Sequence, residues 1–312
     1  MADMSTHNAP FAALVDWGTS NFRLWLVDAE GAILGERQSA DGMSACAADN
    51  RFATVLEDNL QALNAPEDLP VVIAGMAGAR AGWLEAPYVE TPTALSGLHL
   101  HTVSPKTSRP VSILPGLCQK DTGPFDVMRG EETQLAGVVA GGISTGIICM
   151  PGTHCKWVDL EEGVVKRFRT AMTGEMFDLL SKQSILRLSI PQDSDHSTHD
   201  VAFDTAVAEA LSEGFSLTTS LFSIRAGGLL STPAPNEAAS RLSGLLIGAE
   251  IAGMRQFYAS GKTVHIVASK SLSALYIRAL TQAGAKAQSL DGSALVRDGL
   301  FAAAQHLLTS AK

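Results

Sequence analysis

The chain has 312 residues, 46% of them hydrophobic and 18% charged, with a net charge of −9 and a pI near 5.3. That length exceeds the usual single core and carries enough apolar mass for two. The acidic balance argues against nucleic acid or an anionic membrane as partner, so a bound phosphate would have to be held by local dipoles and a metal ion.

Residues 1–10 (MADMSTHNAP) are polar and read as a flexible tail, without the basic start and apolar stretch of a signal peptide. Cys46, Cys118, Cys149 and Cys155 form no CxxC pair, as expected of reduced thiols in a cytoplasmic protein rather than of a disulfide framework or zinc site. From Leu14 the chain reads LVDWGTSNFRLWLVDAEGAIL, and from Ile147 the pattern returns as IICMPGTHCKWVDLEEGVVKRF. In each copy an apolar strand stops at Gly-Thr (Gly18-Thr19, Gly152-Thr153), a second strand runs to a turn closed by Gly31 or Gly163, and a third apolar segment follows. A Gly-Thr turn leaves backbone N–H groups open to a phosphate oxygen with no Cβ in the way, although such turns also occur as plain structure. Asp16 sharpens the reading: a carboxylate ending a buried strand is costly unless it meets a cation or hydrogen bonds. The second copy has Met150 and Pro151 before its glycine, an asymmetry that fits one Mg²⁺.

Between the copies, residues 70–74 read as a buried strand feeding the glycine-rich loop GMAGARAGW, residues 75–83. His99 and His101 alternate in GLHLHTV as exposed strand positions do. Arg129-Gly130 then opens a helix over 131–140 with the doubled acid Glu131-Glu132. Paired acids at a helix start usually serve only the dipole, but here they lie just upstream of the second Gly-Thr turn, where a carboxylate can accept the proton of a hydroxyl attacking a γ-phosphoryl group. The uncharged stretch 133–155 is broken by Gly141-Gly142 and Pro151, so a helix end, a turn and a buried strand are expected rather than a membrane span.

Further on, Thr173-Gly174 reads as a structural N-cap for a helix over 175–187. DSDHSTHD, with Asp193, Asp195, His196, His199 and Asp200, reads as a solvated loop rather than a metal site. Helices fill 200–260, a strand spans 263–269, and helices follow at 271–283 and 293–308. Ser260-Gly261-Lys262-Thr263 is not a P-loop, since Gln256 stands where a glycine is required and a strand follows; Gly261 is a helix stop. No GxGxxG marks a dinucleotide fold. The class is mixed α/β in two halves that meet near 140–146.

DWGTSNFRLWLVD, GMAGARAGW, MRGEETQLAG, PGTHCKWV and TAMTGEMFDLL, in this order over nearly the whole chain, resemble the 2-dehydro-3-deoxygalactonokinase family. The resemblance implies the two-lobed architecture of the actin, hexokinase and Hsp70 superfamily: a ribonuclease H-like sheet in each lobe, closing over ATP in a cleft. The expected lobes are 11–143 and 144–312, the last helix packing back across the cleft. The implied reaction is ATP-dependent phosphorylation of 2-dehydro-3-deoxy-D-galactonate at its 6-hydroxyl, within galactonate breakdown.

Carried over residue by residue, the resemblance makes Asp16 the Mg²⁺-organising acid, Gly18, Thr19 and Ser20 the first phosphate loop, and Gly152, Thr153 and His154 the second. Glu131 becomes the catalytic base with Glu132 as the alternative, while Arg80, Trp83 and Arg129 become contacts to the sugar acid and Ser269 a contact to the nucleotide. Trp83 reads equally well as a core aromatic. The sequence departs from the family at Cys155 and Ala79, where serine is common, and at Ala268-Ser269-Lys270-Ser271, which lacks the usual glycine of the adenosine loop. Small-molecule partners alone are expected, with a homo-oligomer left open. The alternatives are a kinase for another 2-keto-3-deoxy acid such as the gluconate epimer, a phosphohydrolase of the same superfamily, and a non-catalytic actin-like nucleotide switch.

Overall fold

A computed structural model describes residues 9–121, 123–191, 200–231, 234, 236–292 and 294–309. The chain divides into two compact units: Met1–Thr145 with Glu161–Arg167 and Ser293–Lys312, and Gly146–Leu160 with Phe168–Gly292.

The first unit opens with β1 (Ala12–Trp17), β2 (Phe22–Val27) and β3 (Ile33–Ser39), which pair antiparallel in succession. Helices α1 (Met43–Ala47) and α2 (Phe52–Ala62) follow, and then β4 (Val71–Gly75), parallel to β1. After the short strands β5 (Tyr88–Glu90) and β6 (Thr93–Ala94), β7 (Val111–Ile113) joins β4 in parallel, giving the order β3-β2-β1-β4-β7. The central strands read as apolar runs because both faces are covered. Val15, Trp17 and Ile73 meet Leu56 and Leu60 of α2 on one face, while Leu14, Val72 and Ala74 meet Val296 and Leu300 of the C-terminal helix on the other. A separate three-stranded sheet joins β5 to β8 (Gly116–Gln119) and β9 (Asp126–Met128), and β9 leads into α3 (Glu131–Ala140).

The second unit repeats the plan. Its β10 (Gly146–Met150) pairs antiparallel with β11 (Cys155–Glu161), which neighbours β12 (Val164–Ala171). Helices α4 (Thr173–Gln183), α5 (Asp200–Leu211), α6 (Leu217–Leu230), α7 (Glu237–Gly253) and α8 (Arg255–Tyr258) come next. Then β13 (Val264–Ala268) lies parallel to β10 and, after α9 (Lys270–Gln282), β14 (Ala287–Asp291) lies parallel to β13. The order β14-β13-β10-β11-β12 is that of the first sheet, so each unit carries the expected ribonuclease H-like arrangement.

The last helix, α10 (Leu295–Thr309), belongs to the first unit. There Gly137 of α3 faces the backbone of Leu295, and Gly299 of α10 faces the Thr133 carbonyl so closely that a Cβ at either glycine would collide. This backbone-to-backbone packing fixes where the first turn of α3 points.

Some expectations are corrected. His99 and His101 lie in a 3₁₀ helix, Leu95–His101, so their spacing is not that of a strand. The helix expected at 175–187 begins at Thr173 and ends at Gln183. Thr173 does not cap it, because its hydroxyl donates to the buried Glu250 instead. Of the polar cluster DSDHSTHD, Asp200 starts α5 and pairs with Arg278, while residues 193–199 lie outside the described residues, as do residues 1–8. No helix among the described residues is long and apolar enough to cross a membrane; the uncharged stretch is divided between α3, β10 and the turn that follows.

Candidate active site

In the first unit the turn between β1 and β2 carries Gly18, Thr19 and Ser20. Gly18 spends its own amide on the Asn21 carbonyl at 2.8 Å. Thr19 and Ser20 are exposed, and their amides have no partner among the described residues. The turn is held from behind by the start of α1: the amides of Met43 and Ser44 donate to the carbonyls of Gly18 and Thr19 at 2.9 and 3.0 Å. Gly42 makes this possible, since a Cβ there would strike the backbone of Ser20 and Thr19. With its carbonyls tied back, the turn can present N–H groups to an anion.

Asp16 is half-buried at the end of β1 and pairs with Arg23, its cross-strand neighbour on β2, through Oδ2. The cation this acid requires is thus supplied by the protein, a partner the sequence reading did not assign. Its other oxygen, Oδ1, faces Gly75, where an added Cβ would stand 3.5 Å away. Gly75 adopts φ +92°, open to glycine and strained for other residues, and Gly130 lies against its Cα. The carboxylate of Asp16 and the start of α3 are therefore brought to the same end of β1 and β4.

At that helix start the two acids part company. Glu132 is 1% exposed, its oxygens accepting the amide of Gly130 at 2.9 and 2.7 Å and the hydroxyl of Thr133 at 3.1 Å. Burial, reinforced by the neighbouring Glu131 charge, pushes its pKa up to about 8. Glu131 is only half-buried, with the Arg129 amide donating to its Oε2 at 3.1 Å. Of the pair, Glu131 can reach a ligand and Glu132 is sealed within the protein.

The loop GMAGARAGW leaves β4 through a 3₁₀ turn, Met76–Gly78, and puts Arg80 in solvent. Trp83 stacks on Phe52 with centroids 6.1 Å apart and meets Trp17 edge-on, so its ring belongs largely to the core. Arg129 lies beneath the loop: Nη2 donates to the Ala86 carbonyl at 2.8 Å, the guanidinium covers the Tyr88 ring at 4.3 Å, and Nε and Nη1 are buried without a hydrogen-bond partner among the described residues. In this conformation Arg129 supports the loop, and Arg80 is the arginine open to a ligand.

In the second unit Gly152, Thr153 and His154 form the turn between β10 and β11. All three are exposed, and their amides have no partner among the described residues. Here too a glycine-led helix start holds the turn: Gly174 packs on Gly152 and Thr153, the Glu175 amide donates to the Thr153 carbonyl at 3.0 Å, and the Glu175 carboxylate meets His154 Nε2 at 2.5 Å. The turn borders a cavity of about 900 Å³, lined by Thr153, His154 and Glu175 together with apolar Leu246, Ile247 and Leu272, a size and mixture suited to a small molecule with one charged end. Ser269 caps α9, its hydroxyl accepting the Leu272 amide at 3.4 Å, and does not line the cavity.

Beneath the cavity Glu250 is buried and accepts from Trp157 at 2.6 Å, Tyr276 at 2.7 Å and Thr173. Beside it the Cys149 and Cys155 sulfurs lie 3.7 Å apart, with both thiol pKa values raised by burial. Sequence reading missed Arg23, Gly42 and Glu250 and gave Gly174 and Glu175 only a structural place. A signal was present for the two glycines, since DGMS follows the third strand of the first copy as TGEM follows that of the second.

The family model for 2-keto-3-deoxy-galactonokinase matches residues 16–303. A relative from Rhizobium meliloti (strain 1021), "Probable 2-dehydro-3-deoxygalactonokinase DgoK1", is 46% identical and covers 95% of this chain and 97% of its own. The 2-dehydro-3-deoxygalactonokinase of Escherichia coli (strain K12) is 35% identical over 92% of this chain and 94% of its own. A crystal structure of a Sinorhizobium meliloti protein provisionally named for the same activity superposes with a TM-score of 0.90 at 44% identity, over 95% of this chain and 99% of that one. With two like-folded units, a Gly-Thr turn in each and a matched model across both, the chain belongs to the 2-keto-3-deoxy-galactonokinase family.

Proposed function

We propose that this protein transfers the γ-phosphoryl group of ATP to the 6-hydroxyl of 2-dehydro-3-deoxy-D-galactonate, in the breakdown of galactonate. The observation that carries the reading is family membership over 95% of the chain, with relatives named for that reaction. Phosphoryl transfer asks the protein for positioning, charge neutralisation and a base. The base would be Glu131, taking the proton of the 6-hydroxyl as that oxygen forms its bond to phosphorus and the bond to the bridging oxygen of ADP breaks. Its accessibility beside the sealed Glu132 supports this choice.

Gly152, Thr153 and His154 would hold nucleotide phosphates at the 900 Å³ cavity, and Gly18, Thr19 and Ser20 would be the phosphate loop of the first unit. Ser269, at the start of α9 and outside the cavity lining, would be a contact to the nucleotide. Mg²⁺ fits Asp16, a half-buried carboxylate whose Oδ1 is not engaged by Arg23, because this ion needs only one or two carboxylates alongside waters and phosphates. When bound it would neutralise phosphate charge. Arg80 would clamp the substrate carboxylate in a bidentate pair, with Trp83 flanking the carbon chain and Arg129 supporting the loop.

In this proposal the lobes correspond to 11–143 and 144–312 with the last helix, α10, returning to the first, the enzyme works in the cytoplasm, and its partners are the sugar acid and ATP, without nucleic acid or membrane. An ADP-release assay with each 2-keto-3-deoxy acid epimer and with none tests the reading. The expected result is release that requires an acid and prefers the galactonate-derived one. Preference for the gluconate-derived acid would move the enzyme to that substrate, and release without any acid would make it a hydrolase.

A further inference from the structure

We infer that Glu175 is a positioning residue for the nucleotide phosphates, acting through His154 and Thr153; this rests on the kinase reading above. Three successive amides without partners among the described residues, at 152 to 154, make a turn that nothing within the β10–β11 hairpin holds in one shape. Glu175 fastens it twice. Its amide donates to the Thr153 carbonyl at 3.0 Å, and its carboxylate meets the His154 ring at Nε2. A carboxylate only accepts, so the proton of that bond sits on Nε2 and the ring is held in one orientation.

A purely structural role accounts poorly for this pair. Both side chains line the cavity and keep 48% and 36% of their surface exposed, and an exposed pair of this kind contributes little to stability. A glutamate beside bound phosphates would also repel them unless its charge were engaged, and His154 engages it. What remains is preorganisation: a turn held in its binding shape loses less freedom when the phosphates arrive.

The test uses the full chain with Glu175→Ala, Glu175→Gln, His154→Ala and the Glu175→Ala/His154→Ala double variant. ATP KM, sugar-acid KM and kcat are measured, with calorimetric titration of Mg-ATP in the absence of acceptor. Glu175→Ala is expected to weaken Mg-ATP binding about tenfold and raise ATP KM to match, with sugar-acid KM within about twofold. Glu175→Gln keeps an oxygen acceptor for Nε2–H and should recover most of the loss. The double variant should be no weaker than His154→Ala alone, since the two residues act as one unit. Unchanged Mg-ATP affinity in Glu175→Ala, no recovery in Glu175→Gln, or additive losses in the double variant would each overturn the assignment. If the wild-type chain releases no ADP with any acid, the kinase reading falls, while the Mg-ATP titrations still decide the role of Glu175.

Discussion

Gly174 rests directly on Gly152: a Cβ added at position 174 would meet the Gly152 carbonyl oxygen and come within 2.9 Å of Thr153 Cα. Gly42 stands in the same relation to Ser20 and Thr19 in the other unit. Each Gly-Thr turn is thus backed by a glycine at the start of the helix that follows its third strand, and that helix start ties back the turn's carbonyls.

Gly174→Ala should therefore run against helix propensity. Alanine in an open helical site gains about 1 kcal/mol over glycine; at Gly174 the collision with backbone should cost about 1–3 kcal/mol instead and weaken ATP binding selectively. Gly227→Ala in α6, where an added Cβ meets nothing within 4 Å, is the control and should stabilise. Thermal unfolding of both variants, with ATP and sugar-acid KM for Gly174→Ala, checks the contrast.

Asp16→Asn should lower kcat by at least about 10²-fold without unfolding the chain, because it removes charge from the group proposed to hold the metal while keeping its shape. Circular dichroism and turnover at saturating Mg²⁺ are the measurements. Near-wild-type turnover would leave Asp16 only its pairing with Arg23.

Glu131→Gln should lower kcat by roughly 10²–10⁴-fold with ATP affinity nearly unchanged, the usual worth of a positioned base. Glu132→Gln should do much less to kcat. Equal losses, or a larger one at Glu132, would reassign the base.

Glu132 should instead reveal itself through pH. Its folded pKa, about 8, lies above the ordinary value of 4.5, so the folded chain keeps this proton after the unfolded chain has released it. Stability from this group is full below about pH 4.5 and declines as pH rises towards 8. Glu132→Gln lacks the decline, and its stability relative to wild type should rise over that window by on the order of a few kcal/mol. Denaturant unfolding at pH 5 and pH 8 measures it; a constant difference would contradict the burial argument.

Arg80→Ala should raise the KM for the sugar acid by about tenfold or more and leave that for ATP little changed, because a bidentate charge pair to the carboxylate is lost. A change confined to ATP would move Arg80 to the nucleotide.

By itself the sequence determined what depends on neighbours along the chain. The two Gly-Thr hairpins, the α3 boundary at Glu131–Ala140 and the alternation of buried strands with helices follow from turn chemistry and hydrophobic period, which act over a few residues, and they suffice for the two-unit α/β fold. Tertiary structure decided what depends on approach between distant segments. Glu131 and Glu132 are adjacent acids with the same local propensity, and only the packing of α3 against α10 through Gly137 and Gly299 sets the helix rotation that buries one and leaves the other reachable. Likewise Thr173 has the composition of an N-cap, yet Glu250, 77 residues on, takes its hydroxyl because a buried carboxylate with too few donors costs more than an uncapped helix start.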